Sequence, residues 1–376
     1  MKKVLVFFVI LVVSYEAFSN ETTKSNLSEL QQLEASIDTL FNAEIGVSEP
    51  GAALLVSYDG EMIIGKGYGL RSIEDKEPIT KSTNMRMGSV SKQFTALAVL
   101  SLVDNGKLSL SDSVYSIFPY ESFKGVTIEQ LINHTSGRED AEDVFLKEWD
   151  PTKIAANKDI LKWYSTEDRT VTAPGEKYRY NNGIYEFIPS IVEKISGQEF
   201  SKFTKKNVFE KAGMKNTNFF NLAAPIKIEE RAYCYEKNES GIWTKMDGHF
   251  LNGLLGAGGV YTSVNDYFLY DLALRNKTIY SESTHELIFK PSSTRTEIGI
   301  EKHYAMGWNV NDTTASHSGS WFGTNTFTKR YLDKPLTIAI FMNRDTLFEN
   351  GLTNKIDSLV VEYVKNTIKN KNIKSD

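Results

Sequence analysis

Strand-forming sequence clusters towards the two ends of this 376-residue chain, and helix-forming sequence fills its middle. Near the start, Ala52–Tyr58 and Met62–Tyr68 are apolar, β-rich runs, and Asp59-Gly60 between them is a strong hairpin turn. Strand patterns return at Tyr304–Val310, Thr324–Tyr331 and Leu336–Met342. Between these groups the spacing predicts a helix from Ser89 to Asp104, with Phe94, Leu97, Ala98 and Leu102 on one stripe and Asn105-Gly106 as its stop. Short helices are expected over Thr127–Asn133, Ile154–Tyr164, Gly183–Ile195 and Phe200–Glu210. Two more bracket the chain. Leu27–Glu44 carries Leu30, Leu33, Ile37, Leu40 and Phe41 at helical spacing, and a last helix runs from Thr353 to Thr367. The order predicts one sheet assembled from both ends of the chain, packed by the terminal helices. A helical subdomain of roughly residues 100–250 is inserted, and a ligand cleft lies between the two parts.

Lys2 and Lys3 precede an apolar run, Val4–Val13, followed by the small-x-small triplet Ala17-Phe18-Ser19. This is the pattern of a secretory signal peptide, residues 1–19, leaving 20–376 as the mature protein. The run is too short to span a bilayer comfortably, so no stable membrane span is expected after cleavage. The expected location is exported, periplasmic or extracellular. The single cysteine, Cys234, excludes an internal disulfide and reads as a small buried apolar residue. A net charge of -5, with no basic run, argues against nucleic acid as a partner.

Three short motifs can carry chemistry. In Ser89-Val90-Ser91-Lys92, Gly88 lets an extended segment, Asn84–Met87, turn sharply into a helix. A serine there sits among free N–H groups at the positive end of the helix dipole. A lysine three residues on shares its face. Once buried, such a lysine loses basicity and can serve as a base near neutral pH. Taken alone, a helix cap and a solvated lysine explain the motif as well. In Tyr180-Asn181-Asn182, after the Pro174-Gly175 turn, a tyrosine could share a proton with Ser89 and Lys92, and an asparagine could bind a substrate amide. In His317-Ser318-Gly319-Ser320, a glycine within a strand marks a close approach, and an N–H just beyond it could complete an oxyanion hole with that of Ser89. His317 could bind a carboxylate or assist proton transfer.

Other chemistry is poorly supported. The five histidines form no His-x-x-x-His pair, and no metal or cofactor is expected. Glu282 and His285 read as a solvated helix face. Gly60–Lys66 has phosphate-loop spacing, but Gly67 stands where Ser or Thr is required, and the segment follows an apolar strand. There is no Gly-x-Ser-x-Gly elbow.

In order and context the three motifs resemble those of the penicillin-recognising serine hydrolases. Within that superfamily the chain is similar to the group of class C β-lactamases, DD-carboxypeptidases, D-aminopeptidases and related esterases. The wording of Met87–Thr95, Asn105–Leu110, Asn133–Gly137, Gly213–Thr217 and Gly256–Tyr261 carries the same likeness, over roughly residues 45–345. The resemblance implies an α+β, β-lactamase/transpeptidase-like fold, a mostly antiparallel sheet flanked by helices with an inserted helical subdomain. It implies Ser89 as nucleophile, Lys92 as base or proton relay, Tyr180 as proton donor to the leaving group and Asn182 as orienter of the acyl side chain. His317, Ser318 and Gly319 form the third motif, and the Ser89 and Ser320 amides the oxyanion hole. β-Lactamases of the group carry Lys at the first position of that motif, whereas here it is His317, neutral for much of the time near pH 7. This favours a peptidase, amidase or esterase acting on D-amino-acid or other small acyl substrates, possible peptidoglycan fragments included. The alternatives are a β-lactamase and a penicillin-binding or sensing module that acylates without turnover. The implied partner is a small-molecule or peptide substrate, and the oligomeric state stays open.

Overall fold

A computed structural model of the chain describes residues 29–297, 300–345 and 351–373. The expected signal peptide lies outside the described residues. Among the described residues there are two compact units, one formed by residues 29–44 with 351–373 and the other by residues 45–297 with 300–345. The first unit contains helix 29–44 and the terminal helix Leu352–Ile373, both where periodicity placed helices.

The second unit is built on an eight-stranded sheet. Its strands are β1 (Ala52–Tyr58), β2 (Glu61–Tyr68), β3 (Ser293–Glu297), β4 (Ile300–Ala305), β5 (Trp308–Val310), β6 (Thr314–Trp321), β7 (Thr324–Tyr331) and β8 (Leu336–Met342). The spatial order is β3-β4-β5-β6-β7-β8-β1-β2, with every pairing antiparallel. The β1–β8 pair, Ala52 opposite Met342 through Tyr58 opposite Leu336, joins the two ends of the sequence. Both strands are almost wholly buried, which is why they read as continuous apolar runs without alternation.

One strand reading is corrected. Tyr304–Val310 is the end of β4, a turn and all of β5. Met306 and Gly307 have φ of 46° and 87°, and Ala305 pairs with Trp308 across them. The left-handed Met306 is held by its N–H, which donates to Asn133 Oδ1 at 3.1 Å. A mostly apolar run, broken only by Gly307 and Asn309, hid this turn.

Helices, joined by loops and a few short strands, make up most of the chain between β2 and β3. Those that matter for the site are α1 (Ser91–Asp104), α2 (Ala141–Glu148), α3 (Asn182–Ser196) and α4 (Val264–Arg275). The Asp140–Asp150 segment is mostly α2. Asp140 caps it, accepting Glu142 N–H at 3.0 Å. α1 is buried on all sides from Ser91 to Leu102, so its apolar stripe understates its depth. A single core joins Ala53, Leu55, Ala339 and Phe341 of the sheet to Phe94 and Leu97 of α1 and Tyr185 and Phe187 of α3.

A buried charge cluster locks α4 to the sheet. The Asp271 carboxylate accepts from Ser57 Oγ of β1 at 3.1 Å, Thr337 Oγ1 of β8 at 2.7 Å and Arg275 Nε at 3.1 Å, and it pairs directly with Arg330 of β7. Burial pulls Arg330 down to about 10. Asp271→Ala would leave that guanidinium without its counter-charge. The expected cost is about 3–5 kcal/mol, read as a fall of roughly 10 °C in Tm by thermal denaturation.

Candidate active site

The short strand Met85–Arg86 pairs with Val260–Thr262. It leads into a tight 3₁₀ turn, Gly88–Val90, that continues as α1. Gly88 has φ of 49°, and a Cβ there would lie 3.2 Å from Ser320 N. On the facing strand β6, a Cβ on Gly319 would lie 2.3 Å from Met87 O and 2.8 Å from Ser89 N. Two glycines therefore let β6 close onto the Ser89 turn and bring the Ser89 and Ser320 backbones to one place. Thr326 Oγ1 of β7 fastens the seam from below, donating to Met87 O at 2.8 Å.

Lys92, one turn after the half-buried Ser89, is fully buried. Its Nζ donates to Ser89 Oγ at 3.2 Å, Asn182 Oδ1 at 2.7 Å and Ala257 O at 3.1 Å, which uses all three ammonium protons. It also lies 4.8 Å from the centroid of the Tyr180 ring and 5.5 Å from that of Tyr185. Burial lowers its pKa to about 8, against the pull of the nearby Glu142, Glu186 and Asp140. A lysine so placed switches between ammonium and free amine close to neutrality, beside a hydroxyl it can deprotonate.

The second motif reaches the same point from α3. Asn181 caps the helix, accepting Ile184 N–H at 2.8 Å. Asn182 presents one face to Lys92, and its Nδ2 donates to Glu142 Oε1 at 2.8 Å. Tyr180 is exposed, its ring 4.4 Å from that of His134 and 6.2 Å from that of His317. In the third motif, Ser318 and Ser320 are exposed on β6, while Gly319 and His317 are buried. The His317 ring is engaged on both sides. Nδ1 lies 2.5 Å from Ser318 O, a carbonyl that can only accept, so Nδ1 carries the proton. Nε2 lies 3.2 Å from Tyr304 Oη. Ser320 and Trp321 line the cleft beside Ser89.

Sequence reasoning missed the acidic residues behind Lys92. Asp140 Oδ1 accepts Gly183 N–H and its Oδ2 accepts Asn182 N–H, each at 2.7 Å, so the carboxylate that caps α2 also caps α3. Glu142 and Glu186 are buried and hydrogen-bonded to each other. Burial and the neighbouring carboxyl push Glu186 well above the usual carboxylate range, and burial raises Glu142 as well. Two signals were available. Asp140-Ala141-Glu142 has the form of a helix start, and Glu186 lies four residues from Asn182 on the same helical face.

The cleft is lined by Ser89, Glu142, Asn182, Glu186, Ser320 and Trp321, among others. Arg86 also reaches it and is held by Asn252 Oδ1 at 2.7 Å, which accepts from Trp321 Nε1 at 2.8 Å too. Outside the cleft, burial pushes the Cys234 thiol up to about 12, which leaves it inert. His285 is not on a solvated face, as its sequence context suggested. It is buried, and Nε2 accepts Tyr280 N–H at 3.2 Å.

Comparison with known proteins follows the same lines. Residues 37–361 match the family described as Beta-lactamase. Over 341 residues the chain is 30% identical to Penicillin-binding protein 4* of Bacillus subtilis (strain 168), spanning 86% of this chain and 75% of that protein. Among solved structures, the octameric penicillin-binding protein homologue from Pyrococcus abyssi superposes with a TM-score of 0.76 at 26% identity, over 88% of this chain and 77% of that one. The D-amino acid amidase from Ochrobactrum anthropi SV3, complexed with L-phenylalanine amide, shares the fold with a TM-score of 0.73 at 20% identity, over 89% of this chain and 99% of that one.

The seam can be tested by adding one carbon. Gly319→Ala should force β6 away from the Ser89 turn. Labelling of Ser89 by a fluorophosphonate should slow by about 10²–10³, the usual cost of losing an oxyanion-hole donor, with the far-UV circular dichroism spectrum unchanged.

Proposed function

The chain belongs to the Beta-lactamase family, and from that premise we propose that it is an exported serine hydrolase that cleaves small amides or esters through an acyl-enzyme on Ser89. The observation that carries this reading is the 3.2 Å contact between Ser89 Oγ and the Nζ of a fully buried Lys92. In the amine form Lys92 takes the Ser89 proton as Oγ attacks the substrate carbonyl. The oxyanion is held by the Ser89 and Ser320 N–H groups. Collapse of the tetrahedral intermediate breaks the bond to the leaving amine or alcohol. That group takes up a proton through Tyr180, whose ring lies beside Lys92. Water then attacks the acyl carbonyl, loses its proton to the same relay and releases the acid, which restores Ser89. Asn182 positions Lys92 and forms part of the wall that meets the acyl side chain.

A D-amino-acid peptide or carboxylester is the favoured substrate over a β-lactam. The third motif opens with His317, and that ring is buried with both nitrogens engaged. Those partners already take up both ring nitrogens that a β-lactam carboxylate would need. Peptidoglycan-derived peptides fit the same description. Export rests on the charged and apolar pattern of residues 1–19.

A steady-state panel of nitrocefin, p-nitrophenyl esters, D-alanine p-nitroanilide and a D-Ala-D-Ala peptide tests the reading. Ester or D-aminoacyl turnover that Ser89→Ala abolishes is the expected result, and turnover that survives Ser89→Ala would refute the mechanism. A stable adduct without product release would identify a non-turnover module, and efficient nitrocefin hydrolysis a β-lactamase. The pH profile should follow Lys92, the required form being the free amine. Thus kcat/KM should rise with pH to a midpoint at about 8 and fall about tenfold per pH unit below it. Lys92→Met should remove that limb together with most of the activity.

A further inference from the structure

Tyr180, through which the leaving group takes its proton, is exposed and lies just before α3. A side chain so placed needs a fixed backbone if it is to meet Lys92 and a leaving group at one point. One residue supplies that. His134 O accepts the N–H of Arg179 at 2.8 Å, and His134 Nδ1 accepts the N–H of Asn181 at 3.1 Å. The peptide is thus held on both sides of Tyr180. The His134 ring also lies 4.4 Å from the Tyr180 ring, and it packs against Tyr178, Tyr185 and Tyr304 around it. His134 is 1% exposed and left-handed, with φ of 59°. Few non-glycine residues adopt that conformation, and such strain gathers at functional sites.

We propose that His134 is a positioning residue for proton delivery: it holds the peptide on both sides of Tyr180 and packs against the ring, and so fixes the phenol where a leaving group takes its proton. The inference rests on Tyr180 as the proton donor and adds the residue that places it.

The loop that carries His134 is itself anchored. Asn133 Oδ1 accepts the Met306 N–H at 3.1 Å, and the Asn133 carbonyl accepts Ser293 Oγ at 2.8 Å, which ties the loop to β3 and to the turn after β4. Further along, Arg138 O accepts Asn181 Nδ2 at 2.9 Å, and Thr135 O accepts the Gly175 N–H at 2.7 Å. Of these bonds between the loop and the Tyr180 segment, the one to Nδ1 needs the side chain at 134, and the rest end on backbone carbonyls. Replacing that side chain therefore loosens Tyr180 without dissolving the loop.

The loss has a chemical signature. Ser89, Lys92 and the N–H groups that hold the oxyanion stay in place, so attack on the carbonyl proceeds. Expulsion of a group that must be protonated as it departs is what slows. An alkoxide needs that proton, and p-nitrophenolate leaves without it. A role confined to the fold would slow both alike.

The test is the ratio of kcat/KM for p-nitrophenyl butyrate to that for ethyl butyrate, on the full chain. The two esters form the same acyl-enzyme and differ only in what leaves, and the ratio does not depend on how much of a variant is folded. His134→Gly suits the left-handed backbone and removes both ring and acceptor. His134→Asn also suits that backbone and returns a carbonyl oxygen close to where Nδ1 stood. His134→Gly should raise the ratio by about tenfold or more, a part of the roughly 10²–10⁴ that a placed general acid supplies, and His134→Asn should bring it back to within about threefold of the wild type. A ratio unchanged in His134→Gly, or raised equally in both variants, would overturn the inference. Tyr180→Phe should raise the ratio at least as far as His134→Gly. If it does not, or if the wild type cleaves the p-nitrophenyl ester and not the ethyl ester, the proton-donor reading of Tyr180 fails instead, so the two failures are distinguishable.

Discussion

A lysine with no solvent around it organises this molecule. Lys92 has no exposure, and an ammonium in that position needs three acceptors and a nearby negative charge. The fold supplies them from elements far apart in sequence: Ser89 on its own turn, Asn182 at the start of α3 and the Ala257 carbonyl before Val260–Thr262. The acids behind Asn182 keep the charge tolerable. Burial wins over them, so the lysine stays only weakly basic. Had the acids won, Lys92 would hold its proton through the neutral range and could not act as a base. The balance between desolvation and three partly neutralised carboxyls sets where it titrates.

The placement of Ser89 depends on a second constraint, which is steric. The sheet approaches the helical part closely because residues 88 and 319 lack side chains at the seam. Thr326 and Thr324 of β7 bond to the carbonyls of Met87 and Arg86, and they hold the segment before Ser89 against the sheet. The β1–β8 pairing matters here as well, since it sets β7 and β6 in register with a strand from the other end of the chain.

How much of this was readable depends on how local each signal was. Ser89 and Lys92 could be placed because one helical turn fixes their relation, and Gly88 announces the bend before them. The Asp59-Gly60 hairpin and strands β1 and β8 could be placed because turn chemistry and largely apolar runs are local as well. The left-handed Met306 could not, because methionine rarely adopts that conformation and its support comes from Asn133, distant in sequence. For His317 the sequence raised a carboxylate-binding role, whereas its ring is turned into the core against Tyr304, a contact that depends on the β4–β5–β6 register. Glu142 and Glu186 escaped notice because each looks like an ordinary surface residue of a helix. Their burial follows from the packing of α2 on α3 beside α1, which no short window contains.

Asp140 has a consequence for motion. A single carboxylate holds the first N–H groups of α2 and of α3, elements some forty residues apart. Neither helix can fray at its start without releasing the acceptor that the other uses. The amide protons of Glu142, Asn182 and Gly183 therefore belong to one cooperative opening unit, and solvent deuterons should reach them at a common rate. Because Asn182 also touches Lys92, that opening event would free Lys92 from one of its three acceptors whenever it occurs.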